Sequence, residues 1–172
     1  MSTFEYSFII DNEEWNDDEE HYQKIADDTF NATMNYIVNE FDLELFEFEK
    51  DFYCNLILTN NMQIQELNNE FRGLDKPTNV LSFANLDAID FKEKLEEEQE
   101  IALGEIFIAK ETLEAEAKEK KIKTEDHFAH LFAHGILHLL GFDHQDDEDA
   151  EEMEKTEADI LQTLNINNPY EE

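Results

Sequence analysis

The sequence predicts an α+β (mixed α/β) fold in which a small mixed β-sheet of about four strands packs against several helices. Three observations support this class. Strand-like patterns occur early and in the middle of the chain, helical apolar stripes lie between and after them, and no internal repeat is present. Only two prolines and four glycines occur in 172 residues, so long flexible linkers are not expected. We therefore predict one domain over residues 1–172.

The first sixty residues are predicted to form a strand, a helix and further strands. Apolar residues alternate over residues 4–10, as expected of a half-buried strand, and the acidic stretch "EEWNDDEE" is expected to be a solvated connector. One apolar stripe of helical period then runs over residues 22–41. Strand character returns at residues 43–48, and the following "FYCNLILTN" is rich in residues that favour strands.

The central part of the chain is predicted to contain a short helix, two strands and a loop. The asparagines at residues 60–61 are suited to cap a helix that carries Ile64, Leu67 and Phe71 on one face. A turn with glycine and proline at residues 73–77 leads into the strand "TNVLSF". The stretch "NLDAIDFKEKLEEEQE" is expected to be a charge-rich loop, and "ALGEIFIA" a short apolar strand.

The last third of the chain is predicted to be helical. The segment "KETLEAEAKEKK" is typical of a surface helix. Thr124 is expected to cap the next helix, which runs to about Leu140 and stops at Gly141. Apolar residues at near-helical spacing over residues 150–164 predict a final helix.

The segment "HGILHLLGFDH", residues 134–144, is the strongest functional signal. A helix places His134 and His138 on one face, and the glycine after them lets the chain return with His144. This spacing matches the zinc-protease motif of the metzincins, H-E-x-x-H-x-x-G-x-x-H. Three neutral imidazoles with one open coordination position are typical of catalytic zinc, which lowers the pKa of bound water to roughly 7. We predict one Zn²⁺ per chain, held by these three histidines on a metzincin-like helix.

One residue inside the motif departs from the protease pattern. Gly135 stands where the metzincins place their catalytic glutamate, and glycine accepts no proton. Peptide hydrolysis would then need a carboxylate from elsewhere in the chain. His127 and His130 continue the helical stripe and are interpreted as further ligands, proton carriers or packing residues, of which packing is favoured. Asp143, beside the third histidine, either orients an imidazole or is simply a turn acid.

Arg72 is the single arginine of the chain, and the other eleven basic residues are lysines. A planar guanidinium binds phosphate through two hydrogen bonds and keeps its charge at any physiological pH. Two interpretations stay open from the residues alone. Arg72 either grips a scissile phosphate or forms an ion pair with a nearby acid such as Asp75.

The composition limits the partners and the compartment. The chain has 45 acidic and 12 basic side chains, a net charge of −33, which argues against a tight sequence-independent grip on nucleic acid. RNA would be held weakly, at a local site or with the help of a partner. Cys54 is the only cysteine, which excludes an intramolecular disulfide. Neither a signal peptide nor a stretch of membrane-spanning length is recognised, so we expect a cytoplasmic protein without a membrane partner.

The chain resembles the YbeY family of bacterial rRNA maturation factors, which are zinc-dependent, single-strand-specific endoribonucleases. The resemblance rests on "ELNNEFRGLDKPTNVLSF", "LGEIFIA", "HLFAHGILHLLGFDHQDDEDAEEMEKTEADIL" and the terminal "NPY", which together span roughly residues 66–170. The histidine segment is close to diagnostic, and "PTNVLSF" is an independent second match. Asn79 replaces the aspartate often found in the "PTDVLSF" segment of the family.

The resemblance implies the site residues and the biological role. His134, His138 and His144 correspond to the zinc ligands of the family, and Arg72 corresponds to its functionally important arginine. The implied fold is a small mixed sheet with a helical layer that holds the zinc helix. The implied activity is hydrolysis of single-stranded rRNA in maturation of the 16S rRNA 3′ end, small-subunit assembly and ribosome quality control. The implied partners are rRNA, the small ribosomal subunit and its assembly factors, with no DNA.

Two alternatives to a metal-dependent endoribonuclease remain at this point. One is a metalloprotease-like zinc hydrolase with a relocated general base, against which Gly135 stands. The other is a non-catalytic ribosome assembly factor with a structural zinc, which the acidic composition and the lack of an obvious general base favour. A hydrolase loses activity when its metal is chelated, whereas loss of a structural zinc affects folding alone.

Overall fold

A computed structural model describes residues 1–171, and these form one four-stranded sheet with six α-helices. The strands are β1 (Thr3–Ile10), β2 (Asp51–Thr59), β3 (Val80–Ala84) and β4 (Glu100–Ala109). The helices are α1 (Glu19–Glu40), α2 (Asn61–Arg72), α3 (Phe91–Glu97), α4 (Lys110–Lys120), α5 (Thr124–Leu139) and α6 (Asp147–Thr163). The predicted α+β class with about four strands is therefore confirmed. None of the helices in the described range is long and apolar enough to cross a membrane.

The sheet is mixed, with strand order β1-β2-β4-β3. β1, β2 and β4 are parallel, and β3 pairs antiparallel with β4 at the edge of the sheet. The pairing of β2 with β4 shifts next to Cys54, opposite Gly104. Gly104 has φ +140°, and a Cβ there would clash with the carbonyl oxygen of Phe83. Only glycine fits this close approach of β4 to β3.

The helix α5 lies at the centre of the molecule. It contacts the sheet at β3 and β4 and packs against α1, α4 and α6. Because it is covered on several sides, its apolar residues are not confined to one stripe: Phe128, Leu131 and Leu137 lie on different sides of the helix and are all buried. A smaller apolar cluster joins α2 to β3 and β4 through Ile64, Leu81 and Ala109. The buried position of α5 fixes the helix that carries the histidine segment.

Two predicted elements were wrong. Residues 43–48, expected to be a strand, form a 3₁₀ helix at Glu44–Phe48 that ends at Glu49 with φ 51°. The expected charge-rich loop contains the helix α3, because Phe91 and Leu95 lie one turn apart and are both buried. In both segments a few apolar side chains reach the core, and this burial overrides the local pattern.

Two smaller expectations also differ from the structure. The acidic connector "EEWNDDEE" is not fully solvated, since Trp15 is completely buried and its indole N–H donates to the carbonyl of Thr59 at 2.8 Å. Thr124 is the first residue of α5 rather than its cap. The N-cap position is held by Lys123, which makes no side-chain capping bond.

Candidate metal centre

The end of α5 turns the chain back toward the helix. Gly141 has φ 101°, a conformation that side-chain-bearing residues rarely adopt, and the N–H of Phe142 donates to the carbonyl of Leu137 at 3.0 Å. Phe142 packs edge-on against Phe41, with ring centroids 5.1 Å apart. The reversal predicted from the glycine therefore brings His144 beside the last turn of α5.

Three imidazoles converge at this reversal. One ring nitrogen from each of His134, His138 and His144 lies within 4.8 Å of the others. The Nε2 atoms of His134 and His138 are 3.0 Å apart. His134 and His138 are partly buried, whereas the side chain of His144 is 56% exposed. The structure thus brings together the three histidines that the motif spacing singled out.

Hydrogen bonds at the other ring nitrogens determine which nitrogens carry protons. His138 Nδ1 lies 3.0 Å from the backbone carbonyl of Phe142, which only accepts, so this nitrogen is the N–H donor. His134 Nδ1 lies 3.1 Å from a carboxylate oxygen of Glu157 and is likewise the donor. In the neutral rings both Nε2 atoms therefore carry lone pairs that point at each other.

Two lone pairs 3.0 Å apart repel unless a cation lies between them. Burial, and next the neighbouring His134, lower the pKa of His138, which disfavours a proton in that place. Two nitrogen ligands of a tetrahedral zinc with bonds of 2.0–2.1 Å are about 3.3 Å apart. The donor set, its protonation and its spacing therefore fit a zinc ion.

Glu157 on α6 is a site residue that the sequence analysis missed. Its carboxylate is 1% exposed, and one oxygen contacts both His130, at 2.7 Å, and His134, at 3.1 Å. Burial by itself raises its pKa, but hydrogen bonds from the two histidines outweigh this effect and hold the pKa at about 2. The sequence does indicate this residue, because the acidic side chain at position 157 falls on the apolar stripe of α6, between Met153 and Ile160.

His127 and His130 do not belong to the converging group among residues 1–171. His127 is buried and its Nε2 lies 2.8 Å from Glu116 on α4. Glu116 also accepts a hydrogen bond from the side-chain amide of Asn79 at 2.9 Å. An aspartate at position 79 would place a second carboxylate against Glu116, so the asparagine of this chain is explained by its neighbour.

The three converging histidines, His134, His138 and His144, line a cleft of about 770 Å³ that runs along the edge strand β3. Its wall also carries two basic side chains, Arg72 and Lys76, and two acidic ones, Asp87 and Asp143, together with uncharged polar groups. On a chain with net charge −33, a wall whose two basic and two acidic side chains balance makes the cleft less repulsive toward an anion than the composition suggests.

Arg72 is the last residue of α2 and is followed by Gly73 with φ 69°. Its Nη2 donates to the carbonyl oxygen of Ser82 at 2.9 Å, and its guanidinium lies 5.6 Å from the centroid of the Phe83 ring. Among the described residues it forms no ion pair with Asp75, which instead accepts a hydrogen bond from Gln65 at 3.0 Å. Within residues 1–171 one of its five N–H groups donates a hydrogen bond, which leaves the others available to a ligand in the cleft.

The packing of Gly135 explains why the protease glutamate is missing. A Cβ at this position would lie 2.8 Å from Ile106 Cγ2 and 3.1 Å from Ser82 Oγ, because α5 sits directly on the sheet here. We expect Gly135→Glu to lower the free energy of unfolding by about 3 kcal/mol through overpacking and burial of a charge, without producing peptidase activity. Denaturant unfolding and a casein cleavage assay test this.

The matched control for Gly135→Glu is Ala115→Glu, which adds the same side chain at an exposed position of α4. This variant is expected to change the unfolding free energy by less than about 0.5 kcal/mol. Equal stability of the two variants, or casein cleavage by Gly135→Glu alone, would show that the space at position 135 does accept a catalytic side chain.

Comparison with known proteins identifies the family of the chain. The sequence model of the family described as Endoribonuclease YbeY matches residues 14–165. A protein named Endoribonuclease YbeY from Francisella tularensis subsp. novicida is 47% identical over 119 residues, which cover 67% of this chain and 70% of that protein. The protein of the same name from Paramagnetospirillum magneticum is 46% identical over 117 residues, covering 68% and 70% of the two chains.

A solved structure shares the fold. The solution structure of a protein from Thermotoga maritima aligns with a TM-score of 0.54 over 97% of this chain and 99% of that protein, at 22% sequence identity. The matched residues 14–165 and the identity to the two relatives lead to the same conclusion. The resemblance read from the motifs is confirmed: the chain belongs to the Endoribonuclease YbeY family.

Proposed function

We propose that the protein is a zinc-dependent endoribonuclease that cleaves single-stranded rRNA in the cytoplasm, as one hydrolase domain over residues 1–172. The observation that carries the proposal is the convergence of three imidazoles in the same cleft as the single arginine of the chain. The relatives are named for endoribonuclease activity, which agrees with a cleft suited to a phosphodiester.

In this proposal His134, His138 and His144 hold the metal. The tautomers of His134 and His138 are set by hydrogen bonds to Glu157 and to the carbonyl of Phe142, so the Nε2 atoms of these two rings are available as ligands. Zinc, when bound, supplies Lewis acidity in the cleft and acidifies the water at its open position.

Arg72 is proposed to hold the scissile phosphate and to stabilise the negative charge that develops during cleavage. Its bond to the carbonyl of Ser82 and its position beside the ring of Phe83 restrict the guanidinium before substrate binds. A restricted donor loses less entropy when it binds the reacting phosphate, and it acts most strongly where the charge develops.

The proposed partners are the small ribosomal subunit and its assembly factors, with no DNA. A chain of net charge −33 repels free RNA, and at the cleft the positive charges of Arg72 and Lys76 are offset by Asp87 and Asp143. Affinity is therefore expected to come from the ribosomal particle, which presents single-stranded ends of the 16S rRNA to a site that binds them weakly by itself.

The test compares three substrates with purified protein: single-stranded rRNA fragments, the same sequences annealed into a duplex, and casein. Metal content is measured first, then activity after chelation and after addition of zinc to the stripped protein. We expect about one zinc per chain, cleavage of the single strands only, loss of cleavage on chelation, and recovery with zinc.

Two results would contradict the proposal. Cleavage of casein rather than RNA would point to the metalloprotease with a relocated base. Loss of folded structure on chelation, measured by circular dichroism, with no cleavage of any substrate by the zinc-loaded protein or by a mixture with ribosomal subunits, would point to an assembly factor with a structural zinc.

A further inference from the structure

One oxygen of Glu157 is shared by three groups from two other parts of the chain. Oε1 lies 2.7 Å from His130 Nε2, 3.1 Å from His134 Nδ1 and 3.0 Å from the hydroxyl of Tyr170. The Tyr170 hydroxyl also lies 3.1 Å from His130 Nε2. A single buried carboxylate therefore joins α5, α6 and the C-terminal tail at one point.

The tail is shaped to bring Tyr170 to this point. After α6 the chain turns at Asn165, which has φ 63°. A second turn is closed by the N–H of Tyr170, which donates to the side chain of Asn168 at 2.8 Å. The ring of Tyr170 meets His130 edge-on, with centroids 5.5 Å apart. The tail thereby helps to cover Glu157, which is 1% exposed.

The network around Glu157 orients the imidazole ring of His134. The bond from Nδ1 to Glu157 holds the ring so that Nε2 faces His138, 3.0 Å away. Carboxylates that accept from the second nitrogen of a ligand histidine fix its tautomer and ring angle, and they contribute to metal affinity. The hydroxyl of Tyr170 in turn restricts the carboxylate, since a group held by three partners has few alternative rotamers.

We propose that Glu157 and Tyr170 are positioning residues for the metal ligand His134, with Glu157 acting directly and Tyr170 acting through Glu157. The C-terminal tail is then part of the metal centre, although it contributes no ligand. This inference rests on the metal site of the proposed function, but not on the RNA substrate or on catalysis.

The test measures zinc affinity of the metal-free protein by competition with a chromophoric chelator, without RNA. We expect Glu157→Gln to weaken zinc binding by roughly 10- to 100-fold. Tyr170→Phe removes one hydroxyl and is expected to weaken it by roughly 3- to 10-fold. Melting of the metal-free proteins is recorded in parallel, because a purely structural role would lower the melting temperature and leave the affinity unchanged.

The chain offers a matched control for the tyrosine. The hydroxyl of Tyr36 on α1 donates to Asp159 on α6 at 2.8 Å, so Tyr36→Phe removes the same kind of bond two residues from Glu157, outside the network around His134. This variant is expected to bind zinc within about twofold of the wild-type protein.

Three outcomes would overturn the inference: wild-type affinity in Tyr170→Phe, equal weakening in Tyr36→Phe and Tyr170→Phe, or no zinc binding by the wild-type protein. Weakened zinc binding in Glu157→Gln and Tyr170→Phe, but not in Tyr36→Phe, supports the inference even if the protein cleaves no RNA. Failure of the nuclease proposal is in that way distinguished from failure of this one.

Discussion

His138→Ala is expected to weaken zinc binding by roughly 100- to 1,000-fold and to reduce RNA cleavage to background. The ring of His138 is restricted at both nitrogens, because its Nδ1 donates to the carbonyl of Phe142 at 3.0 Å while its Nε2 faces His134. Its removal takes away one of the three proposed metal ligands and the partner toward which His134 is oriented. Metal content by mass spectrometry and cleavage of a single-stranded rRNA fragment check both parts.

The control for this variant is His21→Ala. His21 lies on α1 with a side chain that is 57% exposed, and its contact is Glu125 at 3.5 Å, a surface pair of little energetic weight. This variant is expected to keep its zinc and its activity. If His138→Ala retained one tightly bound zinc, or cleaved RNA at the rate of His21→Ala, the metal assignment would be wrong.

Arg72→Ala is expected to lower kcat/KM for RNA cleavage by roughly 10²- to 10³-fold while one zinc per chain is retained. The guanidinium is exposed and contributes to the fold mainly through its bond to Ser82, so stability should change little. Arg72→Lys is expected to recover only part of the activity, because an ammonium lacks the planar fork and stacks less well on Phe83.

A loss of positive charge elsewhere provides the comparison for Arg72. Lys118→Ala removes one charge from an exposed position of α4 and is expected to leave kcat/KM within about twofold, because surface charges are screened by salt. Equal activity of Arg72→Ala and Lys118→Ala would contradict a phosphate-holding role. Loss of zinc in Arg72→Ala would instead place the arginine in support of the metal site.

The histidine site was the part most open to prediction from the sequence. His134 and His138 are one helical turn apart, a relation that follows from local helix geometry, and Gly141 signals the reversal that returns His144. For Arg72 the sequence left two interpretations, and the structure places the side chain in the cleft wall against Ser82 and Phe83.

Other features depend on partners that are distant in the sequence. The acidic neighbours of Trp15 predict a solvated connector, yet its indole N–H donates to the carbonyl of Thr59 and the side chain is completely buried. The sequence shows only that Gly135 lacks a catalytic base, whereas the structure shows that its packing on Ile106 leaves no space for a side chain. The role of Glu157 cannot be predicted from the apolar stripe around it, because its hydrogen-bond partners lie on α5 and in the C-terminal tail.

By itself the sequence determined the fold class, the histidine triad and the membership of the Endoribonuclease YbeY family, because periodicity and motif spacing depend only on residues close together in the sequence. The tertiary structure decided which side of α5 meets the sheet, which carboxylate orients His134, and how the tail reaches that carboxylate. These features depend on contacts between segments tens of residues apart. Such contacts are set by how the apolar faces of whole helices and strands pack together, and no local pattern records that packing.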